Sequence, residues 1–169
     1  MTWLFLMAVF LILIFGFVVV FGAPFLPTLK ARTSDALDLL DLKPGQTMLE
    51  LGSGDGRILR AAAERGIYAI GYELNPLLVL WSKLKHWKYR EYITLYWGNF
   101  WHHKLPPTDG IYVFLIDRYM HKLDTKIAQD MKGWRLLHPK RLKLVSYAFV
   151  IPGKSFSKEL NGLFLYRYN

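Results

Sequence analysis

Residues 50–56 read Glu-Leu-Gly-Ser-Gly-Asp-Gly, and Glu73 closes the next apolar run. This combination constrains the fold more than any other feature of the chain. Residues 46–51 are short, largely apolar and turn-bounded, as a buried parallel strand is. Gly52, Gly54 and Gly56 remove side chains where the chain turns sharply and a ligand must approach the backbone. Residues 57–65 then read as a helix that Gly66 closes. Residues 67–72 form a second buried strand with Glu73 at its carboxyl edge. In open α/β sheets that edge binds ligands, and an acid there takes the hydroxyls of a ribose. The pattern therefore predicts a strand, a glycine turn and a helix holding a nucleoside cofactor.

The rest of the chain extends the same alternation. Lys43-Pro44-Gly45 is a turn feeding the first strand. Ser34 is expected to cap a short helix through Leu40, with Asp35 in its first turn. Asn75-Pro76 marks a helix start, cap followed by proline, and that helix is expected to reach about Tyr89. Its expected buried stripe is Leu77, Leu80, Trp81 and Leu84. Strands are expected at 92–97, 111–116 and 142–150, with a helix over 120–136 and a last antiparallel edge strand at 162–168. Asp117 is expected at the carboxyl end of the fourth strand. Right-handed crossovers between such elements give an α/β fold with a doubly wound, mostly parallel sheet.

No charged residue precedes Lys30. Residues 3–22 are apolar and long enough to span about 30 Å, the thickness of a bilayer's hydrocarbon core. A cleaved signal peptide opens with a basic residue and carries an apolar core of about 7–15 residues, so an uncleaved transmembrane helix is expected instead. The expected organisation is an anchor at 1–23, a connector at 24–33 and one catalytic-size domain at 34–169. Lys30 and Arg32 place the bulk of the chain on the cytoplasmic side by the positive-inside rule. The absence of cysteine excludes disulfides and thiol catalysis. The first residues lack the Arg-rich, Ser-rich pattern of a mitochondrial presequence, which points to a prokaryotic inner membrane.

The net charge is +9, with Lys83, Lys85, Lys88 and Arg90 in one cluster and Lys140, Arg141 and Lys143 in another. Solvated helix faces, an anionic lipid surface and a nucleic acid all accommodate such clusters. Beside a membrane anchor, lipid is expected ahead of RNA. His102-His103 lack an acidic or thiol partner at ligand spacing, so no metal site is expected.

A dinucleotide fingerprint would need a third glycine at position 57, which is Arg57. The glycine loop instead resembles motif I of the class I S-adenosylmethionine (SAM) methyltransferases. Residues 49–58 followed by Gly71-Tyr72-Glu73-Leu74-Asn75-Pro76 are similar to one group among them. These are the membrane-anchored protein-lysine methyltransferases that in mitochondria act on the ATP synthase c subunit and the adenine nucleotide translocase. Pro24-Phe25-Leu26-Pro27-Thr28 is similar to an element of that group too, and the match runs to about Trp101. Glu50 stands where the group usually has Asp, and Asn99 where an acid is usual.

The resemblance implies SAM as cofactor. Gly52, Ser53, Gly54 and Gly56 would lie against its methionine part, with Glu50 or Asp55 nearest the ammonium. Glu73 would hold the ribose, flanked by Leu74 and Asn75, and Asn99 with Phe100 would frame the adenine. Asp117 is the candidate to orient the acceptor, and Trp97, Trp101, Tyr119 and Tyr147 are candidates to line its channel. The expected activity is methyl transfer to a lysine of a membrane or membrane-proximal protein. A lipid or quinone-like acceptor, an RNA acceptor, and cofactor binding without catalysis are the competing readings.

Overall fold

The computed structural model describes residues 2–9, 12, 30–134 and 142–168. Its secondary structure runs α1 (Lys30–Leu40), β1 (Thr47–Leu51), α2 (Arg57–Glu64), β2 (Tyr68–Glu73), α3 (Pro76–Lys85), β3 (Ile93–Trp97) and β4 (Gly110–Val113). It continues with α4 (Met120–Trp134), β5 (Leu142–Tyr147), β6 (Lys158–Leu160) and β7 (Leu163–Tyr168). All seven strands join one sheet in the order β3-β2-β1-β4-β5-β7-β6. The five strands from β3 to β5 are parallel, and β7 inserts antiparallel between β5 and β6.

Helices cover both faces because side chains alternate along each strand. Met48 of β1 faces a core shared with Leu37 and Leu40 of α1, and Ile58 and Leu59 of α2. Leu49 and Leu51 face the opposite core, which α4 covers. On α4 the buried residues are Met120, Leu123, Ile127, Met131 and Trp134, one stripe at helical spacing. The doubly wound prediction holds, and the order reverses at β1, which pairs with β2 on one side and β4 on the other. The carboxyl end of β1 is thus the topological switch point, where such sheets bind ligands.

Several expectations need correction. Helix α1 begins at Lys30, so Ser34 lies inside it and does not cap its start. Its hydroxyl instead sits between Asp38 and Arg65. Strand β4 ends at Val113, and Asp117 opens a separate 3-10 turn through Tyr119 rather than closing the strand. Strand β7 is internal to the sheet; the edge is β6, whose three residues Lys-Glu-Leu carry no strand signal of their own.

Helix α3 ends at Lys85, followed by a 3-10 turn over Trp87–Tyr89. It turns the expected stripe outward: Val79 and Ser82 are buried, while Leu80, Trp81 and Leu84 are more than half exposed. The anchor falls mostly outside the described residues, as do residues 24–29 of the connector, Pro24–Thr28 included. Residues 2–9 and residue 12 are helical. Among the described residues no helix is long and apolar enough to cross a membrane.

Candidate cofactor and acceptor site

The glycine loop is built from backbone outward. Tyr72, in β2, accepts hydrogen bonds from both Gly52 N and Ser53 N at 2.9 Å, which folds the loop back over the neighbouring strand. Gly52 has φ +84°, and a Cβ built there meets nothing within 4 Å. The loop therefore presents bare backbone to open space at this point, as a ligand-facing turn requires.

Glu73 is the organising side chain. It is buried, yet one carboxylate oxygen accepts from Gly54 N and the other from Asn75 N, each at 2.8 Å. It thus joins the tip of the loop to the start of α3. Asn75 Oδ1 in turn accepts from Leu77 N, capping α3 as predicted. A carboxylate offers about four acceptor positions, so Glu73 retains capacity for ribose hydroxyls after holding both amides.

The structure separates the two acids that the sequence left as alternatives. Asp55 accepts from Arg57 Nε and Nη2 and from Lys85 Nζ, and its backbone carbonyl lies 2.9 Å from His86 Nε2. It lines a pocket with Thr33, Arg57, Arg60, Lys85 and His86, to which neither Glu50 nor Glu73 contributes. Nor does it cap α2, whose N-cap is Gly56 with no side-chain hydrogen bond. Glu50, by contrast, is buried, and its Oε2 has no partner among the described residues; the same is true of Ser53 Oγ. A backbone hydrogen bond from Leu59 reaches the Glu50 carboxyl, but a buried carboxylate oxygen left without a partner is costly unless something polar completes it. Beside an open glycine turn, Glu50 and Ser53 fit the polar end of a ligand.

Burial, and then the neighbouring Asp55 and Glu73 carboxylates, push the Glu50 carboxyl well above the usual carboxylate range. Asp55 shows the reverse balance. Burial alone would raise it, but hydrogen bonds from Arg57 and then Lys85 outweigh that and hold it at about 2. A lowered carboxyl contributes stability that is present above its unfolded value of 3.8 and lost as pH falls through about 2. The Asp55 side chain is only 13% exposed, but its cationic partners reach solvent. After screening, the contribution is about 1–2 kcal/mol. Asp55→Asn is therefore expected to lower neutral-pH stability by that amount. It should also flatten acid unfolding between pH ~4 and ~2, read by chemical denaturation across pH. A variant with an unchanged acid limb would refute the assignment.

The adenine-side candidates are less free. Asn99 Oδ1 accepts from Trp101 N at 3.1 Å, capping a 3-10 turn over Phe100–His102. Its side-chain NH2 is left to meet a ligand. Phe100 is buried in the α4-side core, so what it offers a ligand there is chiefly backbone. Leu74 is half-buried, and its carbonyl accepts from Trp97 Nε1 at 3.1 Å.

On the acceptor side, Trp101 and Tyr119 bring the loops after β3 and β4 together, with ring centroids 5.9 Å apart. Lys122 Nζ stands 4.6 Å from the Trp101 ring centre, so this ring already carries an ammonium contact. Asp117 is exposed at the head of the same 3-10 turn as Tyr119. The other two aromatic candidates lie elsewhere. Trp97 is exposed on edge strand β3, and Tyr147 packs on Phe114. Sequence reasoning missed Lys122, whose i+3 spacing from Tyr119 was the available signal.

The curated relatives include the ATP synthase c-subunit lysine N-methyltransferases of Xenopus laevis and Homo sapiens. Each is 30% identical over 111 residues, 64% of this chain and 49% or 47% of theirs. The adenine nucleotide translocase lysine N-methyltransferase of Mus musculus is 31% identical over 132 residues, covering 76% of this chain and 54% of its own. The chain thus spans about half the length of the curated relatives it matches. Among solved structures, an RNA methyltransferase from Salinibacter ruber in complex with S-adenosyl-L-homocysteine superposes with TM-score 0.71 at 23% identity. That match covers 85% of this chain and 92% of the other, and at such identity it establishes the fold. The ANTKMT methyltransferase domain matches residues 50–158, extending the resemblance well beyond Trp101. From the glycine loop to the last hairpin, then, the chain belongs to the ANTKMT methyltransferase-domain family.

Proposed function

We propose that this chain binds SAM across the carboxyl ends of β1 and β2 and transfers its methyl group to a lysine of a membrane or membrane-proximal protein. The observation that carries the reading is Glu73 joining Gly54 to Asn75 beside a bare Gly52 and a buried Glu50 whose Oε2 has no partner among the described residues. The lysine acceptor rests on the activity named for the relatives. The membrane rests on the uncharged first 29 residues of the sequence.

Bound there, SAM would supply an electrophilic methyl on a sulfonium. The protein's part in such an in-line displacement is alignment of the two partners. Glu73 holds ribose hydroxyls while keeping the loop tip in place, and Glu50 faces the ammonium. An acceptor lysine must arrive neutral, which at pH 7 costs about 4.6 kcal/mol from a free pKa near 10.4. A carboxylate beside it would favour the charged form, so Asp117 orients the amine and does not deprotonate it. The Trp101–Tyr119 pair already carries Lys122 and Arg118 on its rings, and it offers apolar edges to the acceptor's stem. The two resident cations, together with desolvation, favour loss of the ammonium proton to solvent water.

Glu50 makes cofactor binding pH-dependent. In the unfolded chain it has lost its proton above about pH 4.5, whereas the folded, ligand-free protein keeps it well beyond that. Ligand-free stability therefore falls as pH rises toward the folded value. An ammonium beside Glu50 reverses the preference, so binding releases protons and tightens as pH rises. Calorimetry in buffers of unequal ionisation enthalpy, repeated across pH above 4.5, should show binding releasing protons, and Glu50→Gln should remove that release. Heats identical in both buffers would rule this linkage out.

The proposal as a whole is tested by methyl transfer from labelled SAM into membranes of the source organism, with Glu73→Ala as control. A discrete labelled protein, absent with the variant, is the expected result. Label confined to the lipid extract would replace the protein acceptor with a small molecule. Label removed by ribonuclease would replace it with RNA. Absence of label with SAM binding intact would refute methyl transfer to any component of those membranes.

A further inference from the structure

Helix α3 carries an apolar face that nothing in the described structure covers. Leu80, Trp81 and Leu84 project from it, Trp87 follows in the next turn, and all four are more than half exposed. At 100° per residue, Leu80, Trp81 and Leu84 fall within about 100° of arc, with Lys83 on one flank and Lys85 on the other. Burial of Val79, Ser82 and His86 fixes this orientation, because those residues hold the opposite face against the fold. On edge strand β3 Trp97 is exposed as well, and its Nε1 donates to the Leu74 carbonyl just before α3. Monomeric proteins rarely leave so many large apolar groups together without a partner.

The charges around the face select the partner. Lys83, Lys88 and Arg90 are exposed along its rim, and Arg90 lies 5.1 Å from the Trp87 ring. Lys85 is shared with Asp55, and Glu91 is the acid in the loop beyond. Tryptophan and leucine set between lysines is the composition of a helix lying in a bilayer interface, with rings among the headgroups and ammonium groups on anionic lipid. We propose that the exposed face of α3, with Trp87 and its lysine rim, docks on an anionic lipid surface. Helix α3 would then lie along the membrane plane, with its Asn75 end, and therefore the Glu73 site, at the level of the bilayer surface. This docking is independent of the apolar N-terminal run and of any activity at the site.

The chain has no cysteine, which allows a clean test in the full-length protein. An environment-sensitive fluorophore is placed by Leu84→Cys, with Lys158→Cys on the opposite sheet edge as control. Each protein is mixed with phosphatidylcholine vesicles with or without phosphatidylglycerol. The label at 84 is expected to brighten about threefold or more and to be quenched by spin-labelled lipid, only when phosphatidylglycerol is present. Salt near 0.5 M, or Lys83→Gln with Lys88→Gln, should reverse this, and the label at 158 should not respond. A label at 84 that stays in water while the protein floats with anionic vesicles overturns the proposal. So does a label already shielded without lipid, which would mean the chain's own apolar run or a second copy covers the face. A label shielded only by native membranes, and not by protein-free vesicles, would assign the face to a protein partner instead.

Discussion

Replacing Glu73 by alanine is expected to weaken SAM binding at least about 100-fold and to cost about 2–4 kcal/mol of stability in the ligand-free protein. Two separate consequences of one side chain produce these effects. The carboxylate takes Gly54 N and Asn75 N at 2.8 Å each, in a buried position. Without it, two buried amides lose their acceptor, at about 1–3 kcal/mol apiece before any relaxation. The loop tip and the first turn of α3 are then no longer held together, so the binding surface loses its shape as well as its anion. Glu73→Gln separates the two contributions. Its single oxygen can satisfy one amide, while its NH2 must face the other donor, so binding and melting temperature should fall to intermediate values. Titration calorimetry and thermal melts of the three proteins decide the matter. Binding by Glu73→Ala within about threefold of wild type would show that ribose recognition lies elsewhere.

The acid at position 73 was readable because its context is local: a strand, three glycines and a capped helix follow one another within about 25 residues. The same holds for Asn75-Pro76, where the side-chain hydrogen bond to Leu77 N is the one the dipeptide announces. Asp55 was ambiguous because it is flanked by glycines and only one of the two cations that hold it is local: Arg57 is two residues on, whereas Lys85 is thirty residues on. Asp117 was misplaced because Phe114, Leu115 and Ile116 continue an apolar run past the last paired residue, and hydropathy does not register where a ladder ends. The β6–β7 hairpin was legible and overlooked. Asn161-Gly162, both in the left-handed region at φ 55° and 78°, is a two-residue turn of the kind that joins twisted strands.

Helix α3 inverted for a different reason. Its sequence offers two stripes, a large apolar one at Leu77, Leu80, Trp81 and Leu84, and a small one at Val79, Ser82 and His86. Periodicity favours the first. The sheet takes the second, because Gly56 lets the helix come so close to the loop that only small or flat side chains fit between them. The apolar stripe is left outside, where it is free to meet something other than this protein.

That close approach gives the second large effect. Gly56→Ala is expected to cost about 2–5 kcal/mol, more than a typical substitution. Gly56 has φ +75°, where an alanine costs about 1–2 kcal/mol in backbone strain alone. A Cβ there would also overlap Ser82 Oγ and stand 3.1 Å from His86 Cδ2, so the carboxyl half of α3 must move away at about 1–3 kcal/mol. Ser82→Ala tests the division between these two costs. Ser82 Oγ is buried and has no hydrogen-bond partner among the described residues, so its removal alone should leave stability unchanged or slightly higher. In the double variant, the part of the steric cost that comes from Oγ should be recovered, while the backbone part and the contacts with His86 Cδ2 and the residue 82 Cβ remain. Denaturant unfolding should then give a coupling of about 1–2 kcal/mol. Strict additivity would mean that α3 does not rest on the loop at Ser82. The predicted coupling would instead make the glycine loop and the outward face of α3 parts of one packed unit, so that a ligand ordering the loop also fixes the face that the helix presents.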